Sequence, residues 1–317
     1  MTPGKFRGLM NASNDQQIFT ILALDHGVSL ASAVQPHAPE QVSHRELVDI
    51  KRDVLRELAP HASAVLLDPV YGLPPAIFQG ALSGHVGLVV SVEDGDYAKI
   101  RQPAKLLPNW NVEKAKLAGA DAVKCFFYYR PDEPEFAQIQ EKFVSELVEV
   151  CRLHDIPLFA EPLSYDTTSE DKVNVVIETA RRISALGIDI LKIEFPVDIQ
   201  AEKDESVWAQ ACLKISEVSR VPWVLLSAGV SHSAFARQVR IACESGASGF
   251  MVGRAVWNEA VSLQRADRKK YLHENTVPRL RQLSEIAQAY ARPWTDFYPF
   301  LEDPISETWY KDPEERK

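Results

Sequence analysis

Short apolar runs alternate with longer polar stretches along most of this chain. Between the runs, apolar residues recur at the i, i+3, i+4 spacing of amphipathic helices. The pattern predicts helices at 42–59, 110–118, 133–153, 171–186, 205–219 and 233–245. It also predicts eight strands, at 18–25, 63–68, 87–92, 121–128, 157–163, 189–195, 222–227 and 248–252. Strands that alternate with helices indicate βαβ units and a parallel sheet.

The connections between these elements favour a closed sheet. Several helical segments end in a glycine and a short polar entry into the next strand, as in LAGADAVK, ALGIDILK and ESGASGFMVG. The first strand-to-helix turn, LDHGVS, lacks the GxGxxG pattern of an open dinucleotide-binding sheet. Eight units in about 250 residues close naturally into a (β/α)8 TIM barrel. We therefore expect a single α/β domain over 1–317, with the barrel core at about 18–265.

The residues after the barrel core form a C-terminal extension over 266–317. Its pattern predicts one or two helices and then an aromatic, proline-containing segment, RPWTDFYPFLEDPISETWYK. One hypothesis is a strap packed on the barrel, and the alternative is a contact surface in a homo-oligomer.

Composition and charge narrow the class of partner. The 317 residues are 46% apolar and carry a net charge of −9. An acidic chain without clustered Lys and Arg is not typical of nucleic-acid binding. No run reaches the ~18 apolar residues that span a bilayer, and the N terminus lacks a signal-peptide pattern. We therefore expect a soluble, cytoplasmic protein with a small-molecule partner and no membrane contact.

Cysteines and histidines give no indication of a metal site. The histidines lack metal-ligand spacing, so neither a zinc-dependent mechanism nor any other metal or cofactor is expected. The cysteines are scattered without CxxC spacing, which indicates reduced structural thiols at Cys125, Cys151, Cys212 and Cys243.

Three charged residues interrupt the apolar strands. Lys124 lies in ADAVKCFFYY, Lys192 in IDILKIEFP, and Glu161 between them in IPLFAEPLSY. A lysine in such a run is either desolvated or faces a polar cavity, and desolvation favours the neutral, nucleophilic amine. Structural pairing with a carboxylate is the alternative for each lysine.

The geometry of a barrel predicts that these residues lie close together in its interior. Side chains alternate in and out along a strand, so an inward Lys124 implies inward Ala122 and Phe126 and an outward Cys125. The same phase points Lys192 inward, at a height similar to that of Lys124. Asp25 and Asp68 end the first two strands, and we expect all these charges to meet at the C-terminal face, where barrel enzymes keep their active sites. An aspartate at a strand end also caps turns, which is the structural alternative for both.

Two loops at the same face predict an anion site. Strand seven runs into SAGVS, with Ser227, Ala228 and Gly229, and strand eight runs into GRAVW, with Gly253 and Arg254. Small residues expose backbone N–H groups, and barrels commonly hold phosphate at these two loops. The pair of loops with an arginine therefore favours a phosphorylated small molecule.

Five runs resemble the tagatose 1,6-bisphosphate aldolase family of class I aldolases, a group that includes sulfofructosephosphate aldolases. They keep their order and similar spacing across most of residues 18–260. The runs are LLDPVYGLP (66–74), GADAVKCFFYY (119–129), EPLSYD (161–166), DILKIEFPVD (189–198) and LSAGVS…GRAVW (226–257). The resemblance implies a metal-independent barrel enzyme that acts on a phosphosugar through a Schiff base.

The resemblance also implies roles for individual residues. Lys192 matches the family's Schiff-base lysine, Lys124 its second active-site lysine and Glu161 its acid/base carboxylate. Asp25 matches an aspartate at the end of the first strand, and Asp68 lies in a motif near the site. The positions that hold a substrate phosphate correspond to Ser227, Gly229, Gly253 and Arg254.

One departure from the family follows the first strand. The family usually reads Asp-Gln-Arg there, whereas this chain has Asp25, His26 and Gly27. The missing arginine would help to hold the distal anionic group of the substrate. His26 either contacts substrate in place of the glutamine or lies at the barrel mouth. The Asp-His-Gly triplet is similar to that of archaeal-type fructose-bisphosphate aldolases, another class I branch.

The chemistry of these residues leads to the same function. Cleavage of a carbon–carbon bond near a ketone needs an electron sink, which a neutral lysine supplies as an iminium. We expect Schiff-base cleavage of a ketose phosphate, such as tagatose 1,6-bisphosphate, to dihydroxyacetone phosphate and an aldehyde. The alternatives are a sulfofructosephosphate or fructose-bisphosphate aldolase, another Schiff-base lyase of the transaldolase or deoxyribose-phosphate type, and a non-catalytic sugar-phosphate-binding barrel.

Overall fold

The computed structural model is a closed barrel of eight parallel strands in chain order. It describes residues 1–95, 100–300, 307, 308 and 311. The strands are β1 (Phe19–Leu24), β2 (Ala64–Leu67), β3 (Gly87–Ser91), β4 (Ala122–Tyr128), β5 (Leu158–Leu163), β6 (Ile190–Ile193), β7 (Trp223–Leu226) and β8 (Gly249–Val252). Each lies within a predicted run, and the predicted TIM barrel is confirmed.

Helices surround the barrel. They are α1 (Pro3–Ala12), α2 (Val28–Val34), α3 (His44–Leu58), α4 (Leu73–Phe78), α5 (Val112–Leu117), α6 (Pro134–Leu153), α7 (Lys172–Ser184), α8 (Glu205–Val218), α9 (His232–Glu244), α10 (Arg254–Val261), α11 (Arg265–Tyr271) and α12 (Val277–Tyr290). A π-helical turn at Leu272–Thr276 joins the last two, and 3₁₀ turns lie at Pro39–Gln41, Ala59–His61 and Trp294–Asp296. Within the described ranges, none of the helices has the length and apolarity to cross a membrane.

All six helices predicted from periodicity are present, with ends shifted by at most two residues. The pattern missed α1, α2, α4 and α10. These have 10, 7, 6 and 8 residues, which gives few repeats of the helical pattern, although α5, with six residues, was predicted.

The strands alternate their side chains between the barrel interior and the helices. Ala122 packs inside the barrel with Phe159 and Ile190. Cys125 belongs instead to the apolar layer between the strands and the helices. The predicted phase of β4 is confirmed, and it points Lys124 inward. All four cysteines are buried and unpaired.

The register brings the two strand lysines to one height. Lys124 lies beside Phe159 of β5, and Phe159 lies beside Ile190 of β6, two residues before Lys192. Tilted strands of a (β/α)8 barrel are staggered by about one residue per strand, which compensates for the two-residue difference over two strands. The lysines therefore belong to one layer, as the sequence predicts.

Helix α1 closes the N-terminal end of the barrel. Leu9 and Ala12 pack on the innermost apolar side chains. The Lys5 ammonium, itself nearly buried, forms an ion pair with Asp189 at 2.8 Å, just before β6. Access to the barrel interior is therefore from the C-terminal end.

The segment after α12 crosses the same end as a strap. Trp294 is fully buried, lies edge-on to Phe6 at a centroid distance of 5.1 Å, and donates a hydrogen bond to the Ser13 hydroxyl at 2.9 Å. The Tyr298 hydroxyl donates to the Asp189 carbonyl at 3.0 Å. Residues 291–300 pack on the barrel, as the strap hypothesis predicts. Most of the predicted extension after 300 lies outside the described residues, and the homo-oligomer contact stays a prediction.

Gly249 at the start of β8 is required by the barrel closure. Its φ is +126°, and a Cβ there would lie 1.9 Å from the Phe19 carbonyl oxygen of β1. We expect Gly249→Ala to lower the free energy of unfolding by about 3 kcal/mol, because the added carbon must push the first and last strands apart. Chemical denaturation measures this.

Gly84→Ala is the matched control. A Cβ at exposed Gly84 would meet no atom within 4 Å, so we expect a change within about 0.5 kcal/mol. Equal stability of the two variants would contradict the steric argument.

Candidate active site

A continuous chain of ion pairs crosses the C-terminal half of the barrel. The Lys192 ammonium lies 2.6 Å from Glu161 Oε1, and the Lys124 ammonium lies 3.1 Å from Glu161 Oε2. Lys124 also contacts Asp25 at 2.7 Å and donates to the carboxylate of Glu93. All five side chains are at most 5% exposed.

Five strands supply this ion-pair chain. Lys124, Glu161 and Lys192 project inward from β4, β5 and β6, and Asp25 follows β1 directly. The sequence predicted that these four meet, and the structure brings them together. Glu93, just after β3, is the charged residue that the sequence reasoning missed. Its signal was the inward phase of Val89 and Ser91, which places Glu93 inward as well.

The carboxylates of this cluster have different proton affinities. Burial alone would raise the pKa of Asp25, but the two cations Lys124 and Lys192 outweigh it and lower that pKa well below its usual range. Burial raises the pKa of Glu93, and its contact with Lys124 only partly opposes the shift. Glu93 is therefore the carboxylate of this pair that takes up a proton more readily.

The two predicted anion-binding loops lie side by side. Gly229 has a φ of +76°, and a Cβ on it would lie 3.3 Å from the Arg254 guanidinium carbon. The backbone N–H of Gly253 donates to the Ser227 hydroxyl at 3.4 Å. Ala228 also has a positive φ, of 46°, so the loop after β7 turns tightly beneath the guanidinium. The loops leave backbone groups and one cation facing the same space.

A cavity joins these loops to the ion-pair chain. Its lining contains Lys192 and Glu161 together with residues of the two predicted anion-binding loops. These loop residues are Ser227, Ala228, Gly229, Gly253 and Arg254. His26 lines the same cavity, so the predicted site residues, apart from Asp25, Lys124 and Asp68, share one space.

Asp68 lies outside that cavity and has structural partners. Its carboxylate pairs with the fully buried Lys51 of α3. It also accepts hydrogen bonds from the backbone N–H groups of Val70 and Tyr71, at 2.9 and 2.6 Å, and so holds the turn after β2. Sequence reasoning missed Lys51. A contact between Asp68 and substrate stays a prediction.

This geometry has counterparts among known proteins. Residues 19–259 match the family model of the DeoC/LacD family aldolases. The chain belongs to the DeoC/LacD family of aldolases. Among its relatives, a tagatose 1,6-diphosphate aldolase of Listeria monocytogenes is 32% identical over 96% of this chain and 97% of that protein. Tagatose 1,6-diphosphate aldolase 1 of Enterococcus faecalis is 34% identical over 81% of this chain and 85% of that protein.

Solved aldolase structures share the barrel of this family member. A Schiff-base-forming fructose-1,6-bisphosphate aldolase is 20% identical, with a TM-score of 0.61 over 88% of this chain and 98% of that one. A fructose-bisphosphate aldolase of Plasmodium falciparum is 12% identical, with a TM-score of 0.65 over 90% of this chain and 93% of that one. At these identities the likeness concerns the fold.

In this DeoC/LacD aldolase, His26 lies between β1 and the predicted anion-binding loops. Its ring is edge-on to Trp257 at a centroid distance of 5.2 Å, and its side chain is 12% exposed. Burial lowers the pKa of His26 to about 3 from its ordinary 6.5; neighbouring Asp25 opposes the shift, and Arg254 adds to it. The imidazole is therefore neutral in the folded state at neutral pH.

The lowered pKa predicts an acid-sensitive fold. Below pH 6.5 the unfolded chain binds a proton at His26 that the folded chain does not bind until the pH nears 3. Stability is therefore lost as the pH falls, by about 2 kcal/mol between pH 7 and pH 5. We expect His26→Gln to remove that part of the loss, measured by chemical denaturation at both pH values.

Exposed His85 provides the control. His85→Gln makes the same substitution at an exposed position away from the ion-pair chain, and it is expected to leave the pH dependence of stability unchanged. A His26→Gln curve that is parallel to the wild-type curve would refute the assignment.

Proposed function

We propose that this protein is a class I aldolase that cleaves a ketose phosphate through a Schiff base on Lys192. Tagatose 1,6-bisphosphate, the substrate named for its relatives, represents the substrate class. The observation that carries the proposal is Glu161, which contacts Lys192 and Lys124 at 2.6 and 3.1 Å beside the phosphate loops. No metal ion or cofactor is needed for this chemistry.

The phosphate loops orient the substrate. Arg254 and the backbone N–H groups of the loops after β7 and β8 bind the 1-phosphate, since a guanidinium and helix N-termini both attract anions. Lys192 lines the same cavity as Arg254, so a bound phosphate holds the C2 carbonyl near the amine. This positioning reduces the entropic cost of the first bond.

Lys192 then forms the covalent intermediate. Its neutral amine attacks C2 to give a carbinolamine, which loses water to become an iminium. Glu161, 2.6 Å from the Lys192 nitrogen, accepts the ammonium proton and returns a proton to the departing hydroxyl. Lys124, 3.1 Å from the other oxygen of Glu161, holds that carboxylate in place and orients the substrate hydroxyls.

Cleavage uses the iminium as an electron sink. A carboxylate of the cluster, for which we assign Glu161, takes the proton of the C4 hydroxyl. The C3–C4 bond breaks, its electron pair moves into the iminium to give an enamine, and the aldehyde leaves. Protonation at C3 and addition of water release dihydroxyacetone phosphate and restore the amine of Lys192.

Borohydride trapping tests the Schiff base directly. With dihydroxyacetone phosphate, reduction is expected to add the mass of the ligand to Lys192, as located by peptide mass spectrometry. Lys192→Arg keeps the charge but loses the adduct, and its kcat is expected to fall on the order of 10⁴-fold because no iminium can form.

Lys142→Arg is the matched control, since Lys142 is 79% exposed on α6. It is expected to keep both the adduct on Lys192 and the activity. An adduct at another lysine would overturn the assignment of Lys192. Loss of wild-type activity in EDTA would overturn the metal-independent mechanism.

Glu161→Gln separates proton transfer from substrate binding. The amide keeps the shape of the side chain but cannot accept a proton from Lys192. We expect kcat to fall by about 10²–10³-fold with little change in KM, because the phosphate loops still hold the substrate. Steady-state kinetics measure this change. The matched control is Glu146→Gln, because the Glu146 side chain is 66% exposed. A rise in KM at unchanged kcat would assign Glu161 to binding alone.

A further inference from the structure

A buried lysine on α3 reaches the end of β1. Lys51 is fully buried, and its ammonium donates a hydrogen bond to the Leu24 carbonyl at 2.7 Å. It also pairs with the Asp68 carboxylate and lies 5.7 Å from the centre of the Tyr71 ring. Because an ammonium has three N–H donors, this one side chain can connect α3, the end of β1 and the turn after β2.

The Leu24 carbonyl belongs to the peptide group that joins Leu24 to Asp25. The paired register of β1 with β2 ends at Leu24, opposite Leu67, and Asp25 is the first residue after the strand. The strand ladder therefore no longer fixes the main chain of Asp25, and side-chain contacts have to do so. Lys51 supplies such a contact on the peptide group itself.

The preceding peptide group is held in a similar way. The indole N–H of Trp257, a fully buried residue of α10, donates to the Ala23 carbonyl at 3.0 Å. The paired register of β1 with β8 has already ended at Leu22, opposite Val252. Two buried side chains, from α3 and α10, therefore hold the last two peptide groups before Asp25. Side chains that packing keeps in one rotamer are the ones that can hold a functional group precisely.

Asp25 transmits this position to the reacting groups. Its Oδ2 lies 2.7 Å from the Lys124 ammonium, which lies 3.1 Å from Glu161 Oε2. The other oxygen of Glu161 lies 2.6 Å from the Lys192 nitrogen. Buried charges in contact are costly to separate, since each would be left uncompensated. A displaced Asp25 main chain would therefore change the geometry at the Lys192 amine.

Stability alone does not require a lysine at position 51. A buried ion pair can often be replaced by apolar side chains of similar volume without loss of stability. An apolar side chain could not replace the hydrogen bond from Lys51 to the Leu24 carbonyl, and this contact is directed at the active site.

We propose that Lys51 is a positioning residue of the Schiff-base reaction, because it holds the Leu24–Asp25 peptide group so that Asp25 keeps Lys124 against Glu161. The proposal rests on the proposed function. Lys51 is not among the residues that line the cavity containing Lys192, so it acts through Asp25. The alternative is a purely structural connection between α3 and the turn after β2.

Lys51→Met removes the charge and the donor but keeps a side chain of similar length. We expect kcat for tagatose 1,6-bisphosphate to fall about 10–100-fold, because the reacting groups are displaced. KM is expected to stay within about threefold, since the loops after β7 and β8 keep their contacts with the substrate. Steady-state kinetics measure both constants, and a rise in KM at unchanged kcat would overturn the proposal.

Lys5→Met is the matched control. Lys5 is also nearly buried and also pairs with an aspartate, Asp189 at 2.8 Å, but at the N-terminal end of the barrel. Each single variant leaves a buried carboxylate without its cation, so both are expected to unfold at a lower denaturant concentration than the wild type. Lys5→Met is expected to keep kcat within about threefold, because it displaces none of the reacting groups. An equal fall in kcat for Lys5→Met and Lys51→Met would overturn the proposal, since activity would then follow stability.

The double variant Lys51→Met/Asp68→Asn separates positioning from stability. The amide oxygen introduced at position 68 can still accept from the N–H groups of Val70 and Tyr71, and no buried carboxylate is left without its cation. We therefore expect the denaturation midpoint to move back towards that of the wild type, while kcat stays at the level of Lys51→Met.

A crystal structure of the double variant reports the position of Asp25 independently of activity. We expect its carboxylate to lie farther from Lys124 than the 2.7 Å of the wild type. Recovery of kcat together with stability would overturn the proposal, and so would an unchanged contact between Asp25 and Lys124.

Borohydride trapping distinguishes this proposal from the proposed function. Lys51→Met keeps the Lys192 amine, so its adduct with dihydroxyacetone phosphate is expected to reach the wild-type extent after long incubation. A wild-type adduct together with a wild-type kcat in Lys51→Met would overturn the positioning role alone. Absence of the adduct from the wild type would overturn the proposed function, and the role of Lys51 with it.

Discussion

The bridge from Lys192 through Glu161 to Lys124 is the interaction on which the site depends. Both lysines are at most 4% exposed, so each requires an opposite charge within contact distance. Removing one partner of a buried ion pair typically costs about 3–5 kcal/mol, because an uncompensated charge remains. Glu161 supplies the shared partner only because β5 lies between β4 and β6. The order of strands in the barrel is therefore also the order of charges in the site.

The shared carboxylate explains why further acids surround Lys124. Glu161 is shared between two cations and cannot neutralise both. Lys124 therefore also pairs with Asp25 and Glu93. Three carboxylates then face two ammonium groups. Burial raises the pKa of Glu93, so this acid is protonated more easily than Asp25, whose pKa the lysines lower. A buried cluster that gains or loses a proton at modest cost suits repeated proton transfer during turnover.

The local pattern of apolar and polar residues predicted most of this arrangement. It missed side-chain contacts between different segments of the chain. Periodicity located the eight strands, and the alternation along β4, β5 and β6 predicted the inward charges. Asp68 was correctly placed at a strand end, but its partner Lys51 comes from the middle of α3, where local sequence gives no sign of the contact. Glu93 follows its strand by two residues, and the pairing of β3 with β4, which sets Ser91 beside Lys124, brings it to that lysine.

The turn after β1 connects the parts of the site. Asp25 pairs with Lys124, His26 lines the cavity that also contains Lys192 and Arg254, and Gly27 lines a second cavity beside Asp25. A Cβ at Gly27 would meet only the Tyr71 ring, at 3.4 Å, so a side chain is accommodated there without displacing the ion pairs. A change at Asp25 cannot be confined in this way, since its carboxylate belongs to both the second cavity and the ion-pair chain. Within this turn, Gly27 therefore tolerates a new side chain more readily than Asp25, whose carboxylate the buried Lys124 requires.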